Sequence, residues 1–125
     1  MATILVVDDN EANRVLAAKL LRARSHVVIE AEDAEGALAV ARERTPDLVL
    51  MDLALPRVDG WEALRRLRAD ERFRGLRVVA VTAHAMVGDR ERAIAAGFDG
   101  YLSKPIEAST FADTIADFLN GIPGE

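Results

Sequence analysis

Short runs of aliphatic, often β-branched residues alternate along the chain with stretches whose apolar residues recur every three or four positions. The run Ile4–Val7 predicts a first strand. Asn10 to Arg22 predicts a helix with Ala12, Leu16 and Leu20 on its inner face. Val27–Ala31 predicts a second strand, and Asp33 is placed to cap a second helix that turns Ala37, Leu38 and Ala41 inward. The segment "TPD" ends that helix, because Pro46 disfavours helical geometry in the residue before it. Leu48–Met51 is uniformly apolar, the pattern of a strand buried on both faces. After the loop "DLALPRVDG" comes a helix carrying Trp61, Leu64 and Leu67, then a fourth strand at Val78–Val81. A helix from about Arg90 to Ala96 stops at Gly97, a residue suited to a left-handed cap. Tyr101–Ser103 forms a short fifth strand, and the last helix aligns Phe111, Ile115, Phe118 and Leu119 before Gly121 and Pro123.

Five strand–helix units in this order predict one α/β domain, a doubly wound parallel sheet with helices on both faces. Sheets of this kind bind ligands beyond the carboxyl ends of their strands, where the strand order reverses. The residues just after each strand therefore carry the functional information.

Composition narrows the classes. At 125 residues, half of them hydrophobic and 30% charged, the chain supports one core without metal or disulfide staples. Its net charge of −5 disfavours nucleic-acid and anionic-membrane partners. The absence of cysteine excludes disulfides, thiol catalysis and thiolate metal sites. The first ten residues, "MATILVVDDN", lack the basic region of a secretory signal, and no apolar run reaches membrane-spanning length. A cytoplasmic location is expected.

Read at the strand ends, the sequence places Asp8 and Asp9 after the first strand, Asp52 after the third, Thr82 after the fourth and Lys104 after the fifth. Three carboxylates and one ammonium at one sheet edge leave two negative charges uncompensated. Two unit charges about 4 Å apart repel by roughly 4 kcal/mol at an intermediate dielectric, so a proton or a bound cation is required. Magnesium suits the donor set, being a hard ion that takes one or two carboxylates plus water and a phosphate oxygen, with manganese as the alternative. The competing reading is that each acid merely caps a helix. Lys104 has a distinctive place in a chain with 14 arginines and only two lysines, because an ammonium is a compact charge suited to one phosphoryl oxygen. Six arginines between Arg65 and Arg77, interspersed with Asp70 and Glu71, read as a solvated helix face rather than a nucleic-acid patch.

The segments "VVDDN", "LVLMDLALPRVDG", "VVAVTAHA" and "YLSKP", in this order, resemble the receiver domain of bacterial two-component response regulators across essentially the whole chain. The resemblance implies a (βα)5, flavodoxin-like or CheY-like fold with strand order 2-1-3-4-5. It implies that Asp52 is the phosphoacceptor and that Asp9 and Asp52 bind magnesium through their side chains. The Ala54 backbone carbonyl would be a third ligand, with Asp8 acting through water. Thr82 and Lys104 would engage the phosphoryl group, and the Lys104–Pro105 bond would be cis. Tyr101 falls on the family's switch aromatic, rotating inward once Thr82 is drawn toward the phosphoryl group; alternatively it is a sheet-edge tyrosine with its hydroxyl in water. The implied donor is a sensor histidine kinase or a histidine phosphotransfer protein. The implied output is a changed surface on helix four, strand five and helix five that binds a downstream protein, the chain itself being a monomer or weak homodimer. Such a protein is not an enzyme beyond accepting and losing its own phosphoryl group.

"TAHAM" with "DDNEAN" is most similar to single-domain DivK-type regulators and the receivers of hybrid kinases. Because the chain stops at Glu125, just after the last helix, residues 1–125 are expected to form a receiver with no output domain, or a piece cut from a hybrid kinase. A magnesium-dependent phosphohydrolase with Asp52 as nucleophile is the main rival, but such enzymes carry a second acid where this chain has Ala54. A flavin or nucleotide domain would need a glycine-rich first loop instead of two acids. The resemblance implies that Ala54 and His84 fall on two positions that tune water access to the acyl phosphate, His84 being otherwise a solvent-exposed loop histidine. Replacement of His84 by alanine is expected to alter the decay rate of the phosphorylated protein; an identical rate from about pH 6 to 8 rules out that role.

Overall fold

The strand Leu48–Asp52 is buried along its whole length, which puts it in the middle of the sheet. In the computed structural model, which describes residues 2–83 and 86–121, the elements are β1 (Thr3–Val7), α1 (Glu11–Arg22), β2 (Val27–Ala31), α2 (Ala34–Glu43) and β3 (Leu48–Asp52). They continue as α3 (Gly60–Ala69), β4 (Arg77–Thr82), α4 (Asp89–Ala96), β5 (Gly100–Ser103) and α5 (Phe111–Leu119). All strand pairs are parallel, and the order is β2-β1-β3-β4-β5. The expected doubly wound fold is therefore observed. Chain direction across the sheet reverses between β1 and β3, so the ends of these two strands flank the switch point.

Alternation along each strand divides the core into two layers. Leu5, Val7, Val49, Met51, Val78 and Ala80 face α2, α3 and the inner side of α4. Ile4, Val6, Leu48, Leu50, Val79 and Val81 face α1 and α5. The helices end where their caps dictate. Asn10 accepts the Asn13 amide at 3.0 Å, Asp33 accepts that of Gly36 at 2.7 Å, and Asp59 accepts that of Glu62 at 2.9 Å.

One helical face differs from the expected one. On α1 the buried residues are Ala17, Ala18 and Leu21, whereas Ala12 and Leu16 are exposed and Leu20 is half-buried. Each four-residue step overshoots a full turn by about 40°, so the Ala12–Leu16–Leu20 row winds off the contact line. The alanines also let the helix sit close against the sheet. Alternation alone did not reveal the short 3-10 turn Glu71–Phe73, which tucks Phe73 into the core.

The arginine run is only partly a solvated face. Arg65 and Arg66 pair with Glu62, and Arg72 pairs with Asp70, all near the surface. Arg68 instead reaches the carbonyls of Phe73 at 2.7 Å, Leu76 at 2.6 Å and Gly97 at 3.0 Å, tying α3 to the end of α4. Arg77 donates to the carbonyl of Phe118 at 2.8 Å and to that of Leu119, closing the last turn of α5.

Gly60 permits the closest approach in the fold's working half. A Cβ there would lie 2.5 Å from the Asp52 carbonyl oxygen and 2.8 Å from the Leu53 Cα, neither of which is a flexible side chain. The Gly60 amide donates to the Leu53 carbonyl at 3.1 Å, locking the start of α3 beneath the residue after Asp52. Gly60→Ala is expected to lower unfolding free energy by roughly 1–3 kcal/mol, measured by urea denaturation. An unchanged midpoint would mean that the loop absorbs the methyl group without strain.

Candidate functional site

The carboxyl ends of β1, β3, β4 and β5 bring together the residues marked by the sequence. Asp8, Asp52 and Thr82 are buried, and Asp9 is exposed at the mouth. One carboxylate oxygen from each of Asp8, Asp9 and Asp52 lies within 4.8 Å of the other two. Lys104 Nζ stands 2.8 Å from Asp8 Oδ2 and 3.0 Å from Asp52 Oδ2, bridging the first and third strands from the fifth. The Lys104–Pro105 peptide is cis, as expected.

Helix capping does not account for these acids. The cap of α1 is Asn10, so neither Asp8 nor Asp9 serves there. Asp8 Oδ1 accepts the Asn10 amide at 2.8 Å, and Asp52 Oδ1 accepts the Ala54 amide at 3.0 Å. Both are tight turns two residues long, which hold a carboxylate at the strand end with one oxygen still turned to the pocket. Thr82 ends β4 opposite Ser103, and its carbonyl accepts the Lys104 amide at 2.8 Å.

Electrostatics sets the character of the site. Carboxylate oxygens no more than 4.8 Å apart repel by at least about 3 kcal/mol at an effective dielectric near 20. Loss of water raises the proton affinity of Asp8, and the Asp52 charge adds to it, more than Lys104 and the Asn10 amide offset. Burial alone would weaken the proton on Lys104, but the two carboxylates outweigh it and hold the ammonium charged above its ordinary range. Three hard oxygen donors on two loops, one at the solvent boundary, match what a magnesium ion with retained waters requires.

Tyr101 lies on the edge strand β5, but its hydroxyl is not in water. Its ring is buried in the layer beneath α4, and among the described residues its hydroxyl is the buried side-chain polar atom without a hydrogen-bond partner. Burial pushes that hydroxyl pKa up, and the charge of Asp89 adds to the effect. Ala54, two residues after Asp52, is exposed. His84 lies outside the described residues.

Sequence reasoning passed over Asp89, a buried acid at the start of α4. It accepts the Met86 amide at 2.8 Å and pairs with Arg92, whose guanidinium lies 5.8 Å from the Trp61 ring centroid. The glycine–acid step "GD" before a helical pattern is the local trace of this cap-like arrangement, but its burial depends on β5 and α3.

The pattern of known proteins agrees with this geometry. The model of the response regulator receiver domain matches residues 4–116. The chain belongs to the response regulator receiver family. The receiver is 43% identical over 117 residues to the polar-differentiation response regulator DivK of Brucella ovis, covering 94% of this chain and 95% of that one. Among solved structures it is similar to chemotaxis protein CheY4 of Vibrio cholerae, with a TM-score of 0.87, 26% identity, and coverage of 93% and 97% of the two chains. A LuxR-family two-component response regulator from Aurantimonas gives a TM-score of 0.89 at 33% identity, with 100% of this chain and 89% of that one covered. Receiver domains bind magnesium at an acidic pocket, and Asp8, Asp9 and Asp52 form one here. As a family they are signalling proteins of two-component systems rather than conventional enzymes. No helix among the described residues is long and apolar enough to cross a membrane.

The raised Asp8 value has a consequence for metal-free stability. A carboxyl that binds its proton more tightly when folded stabilises the fold fully below its ordinary value of 3.8 and loses that contribution as pH rises through the raised value. Melting temperature of the metal-free receiver is therefore expected to fall on that limb and to be restored by magnesium at neutral pH. Asp8→Asn should flatten the limb and remove most of the magnesium effect. A limb of unchanged slope in Asp8→Asn would assign it to another group.

Proposed function

We propose that this receiver is a phosphorylation-controlled switch in which Asp52 accepts a phosphoryl group from a phosphohistidine on a sensor kinase or phosphotransfer protein. The observation that carries this reading is the Lys104 ammonium held between Asp8 and Asp52 at the sheet's switch point. In the transfer, an Asp52 oxygen forms a bond to phosphorus as the P–N bond breaks, and the electron pair returns to the imidazole nitrogen, which takes up a proton. Asp52 and Asp9, with Asp8 and the Ala54 carbonyl, would hold magnesium, which supplies positive charge to the phosphoryl oxygens when bound.

The chain's own residues do the rest. Lys104, held as the ammonium, exchanges a carboxylate partner for a phosphoryl oxygen as Asp52 becomes an acyl phosphate. The Thr82 hydroxyl donates to a second oxygen, and its displacement shifts the segment leading to α4. Tyr101, whose buried hydroxyl is short of a partner, responds to that shift, so the α4–β5–α5 face presents a different surface to a protein target. Phosphorylation thereby biases an existing conformational equilibrium. The similarity to the response regulator DivK supports a role as a signalling module. Ala54 has no acid–base group to shuttle a proton, which argues against turnover on external phosphate esters.

Incubation with acetyl phosphate is expected to add one phosphoryl group by intact mass only when magnesium is present, and Asp52→Asn should abolish it. Lys104→Met should leave magnesium binding largely intact while slowing loading or uncoupling it from the surface change. Steady release of free phosphate with no adduct would overturn the switch and favour a hydrolase.

A further inference from the structure

The Asp8–Asp9 turn is held from behind by an arginine that the proposed transfer does not use. Arg14, in the first turns of α1, donates from Nη1 to the Asp8 backbone carbonyl at 3.0 Å and from Nε to Glu30 Oε1 at 3.2 Å. Its side chain is only 14% exposed. Glu30 stands beside Val6 in the sheet and alternates with Ile29 and Ala31, which puts it on the α1 side with Val28. Its other oxygen takes Arg22 Nη1 at 3.4 Å, and Arg22 Nη2 donates to the Val28 carbonyl at 2.9 Å. Glu30 is thus fixed between two guanidinium groups and keeps Arg14 aimed at the backbone of the turn.

The geometry gives this contact leverage. The Asp8 carbonyl belongs to the planar peptide that carries the Asp9 amide. Fixing its oxygen fixes the plane from which Asp9 departs. Asp8 is also tied at its amide, which donates to the Ala31 carbonyl at 3.1 Å, and at its carboxylate through Asn10 and Lys104. Asp9 is exposed and inherits its direction from this anchored residue. Arginine suits the task because its rigid fork spans a carbonyl and a carboxylate together, which a single ammonium does less well.

We infer that Arg14, oriented by Glu30, is a positioning residue that presets the Asp8–Asp9 peptide for divalent-cation binding. The inference rests on the reading of Asp8, Asp9 and Asp52 as a magnesium site. Groups that orient metal ligands without touching the ion commonly govern affinity by an order of magnitude or more.

Magnesium titration calorimetry on the metal-free protein tests it, with melting temperature recorded separately for each variant. Arg14→Ala is expected to weaken magnesium binding roughly tenfold, Arg14→Lys to recover part of the loss, and Glu30→Gln to lose less than Arg14→Ala in the same direction. A folded Arg14→Ala protein that melts lower yet binds magnesium as the unsubstituted chain does would overturn the inference, since a merely structural arginine gives that result. If Arg14→Ala does not fold, Arg14→Gln, which keeps much of the stem, takes its place with the same two outcomes. Failure of the unsubstituted chain to bind magnesium would overturn the metal site and this inference together.

Discussion

Three carboxylates gathered at one small pocket, the two buried ones bridged by a single ammonium, form the constraint on which the rest of this structure depends. The arrangement is poor as a source of stability. Burying charges costs several kcal/mol per ion before attraction is counted, and Lys104 cannot neutralise three acids. What the arrangement supplies is a strong preference for more positive charge and a carboxylate whose partner can be exchanged. The fold bears the cost because a parallel sheet delivers all its strand ends to one edge, and the two buried acids, Asp8 and Asp52, are each anchored by a tight turn as well as by Lys104.

The same edge connects the pocket to a weakly held surface. The Thr82 carbonyl takes the Lys104 amide, so the residue that would meet a phosphoryl group and the residue that would pair with it are joined through the β4–β5 ladder. Helix α4 follows. Among its residues only Asp89 and Ala93 are buried, its start at Gly88 has no side-chain cap, and Met86, Val87 and Ile94 are exposed. Its far end is gripped by Arg68 through the Gly97 carbonyl. A helix clamped at one end and lightly packed along its length is the element expected to move at low free-energy cost. Tyr101, buried beneath it with an unsatisfied hydroxyl, marks where a small change in packing has most to gain.

Arginine serves a different purpose from lysine here. Lys104 is a point charge at the reacting edge, whereas Arg14, Arg68 and Arg77 use their planar forks to satisfy backbone carbonyls at strand and helix ends. These contacts make guanidinium groups part of the scaffold, which is why an arginine-rich chain need not present a basic surface.

Periodicity and turn residues alone determined the order and type of the five strands and five α-helices, because burial on one or both faces leaves a local repeat of about two or 3.6 residues that needs no partner to be read. The strand-end positions of Asp8, Asp9, Asp52, Thr82 and Lys104 were legible for the same reason. Tertiary structure decided what local repeats leave open. It turned α1 onto Ala17, Ala18 and Leu21 instead of the Ala12–Leu16–Leu20 row, because contact with the sheet, not spacing, chooses among neighbouring rows. It buried Tyr101 beneath α4 and Asp89 at the start of that helix, and it set Arg14 behind the Asp8 carbonyl through Glu30 on a strand. Those choices depend on groups brought together across the sheet, and no local pattern in the chain encodes the distance between them.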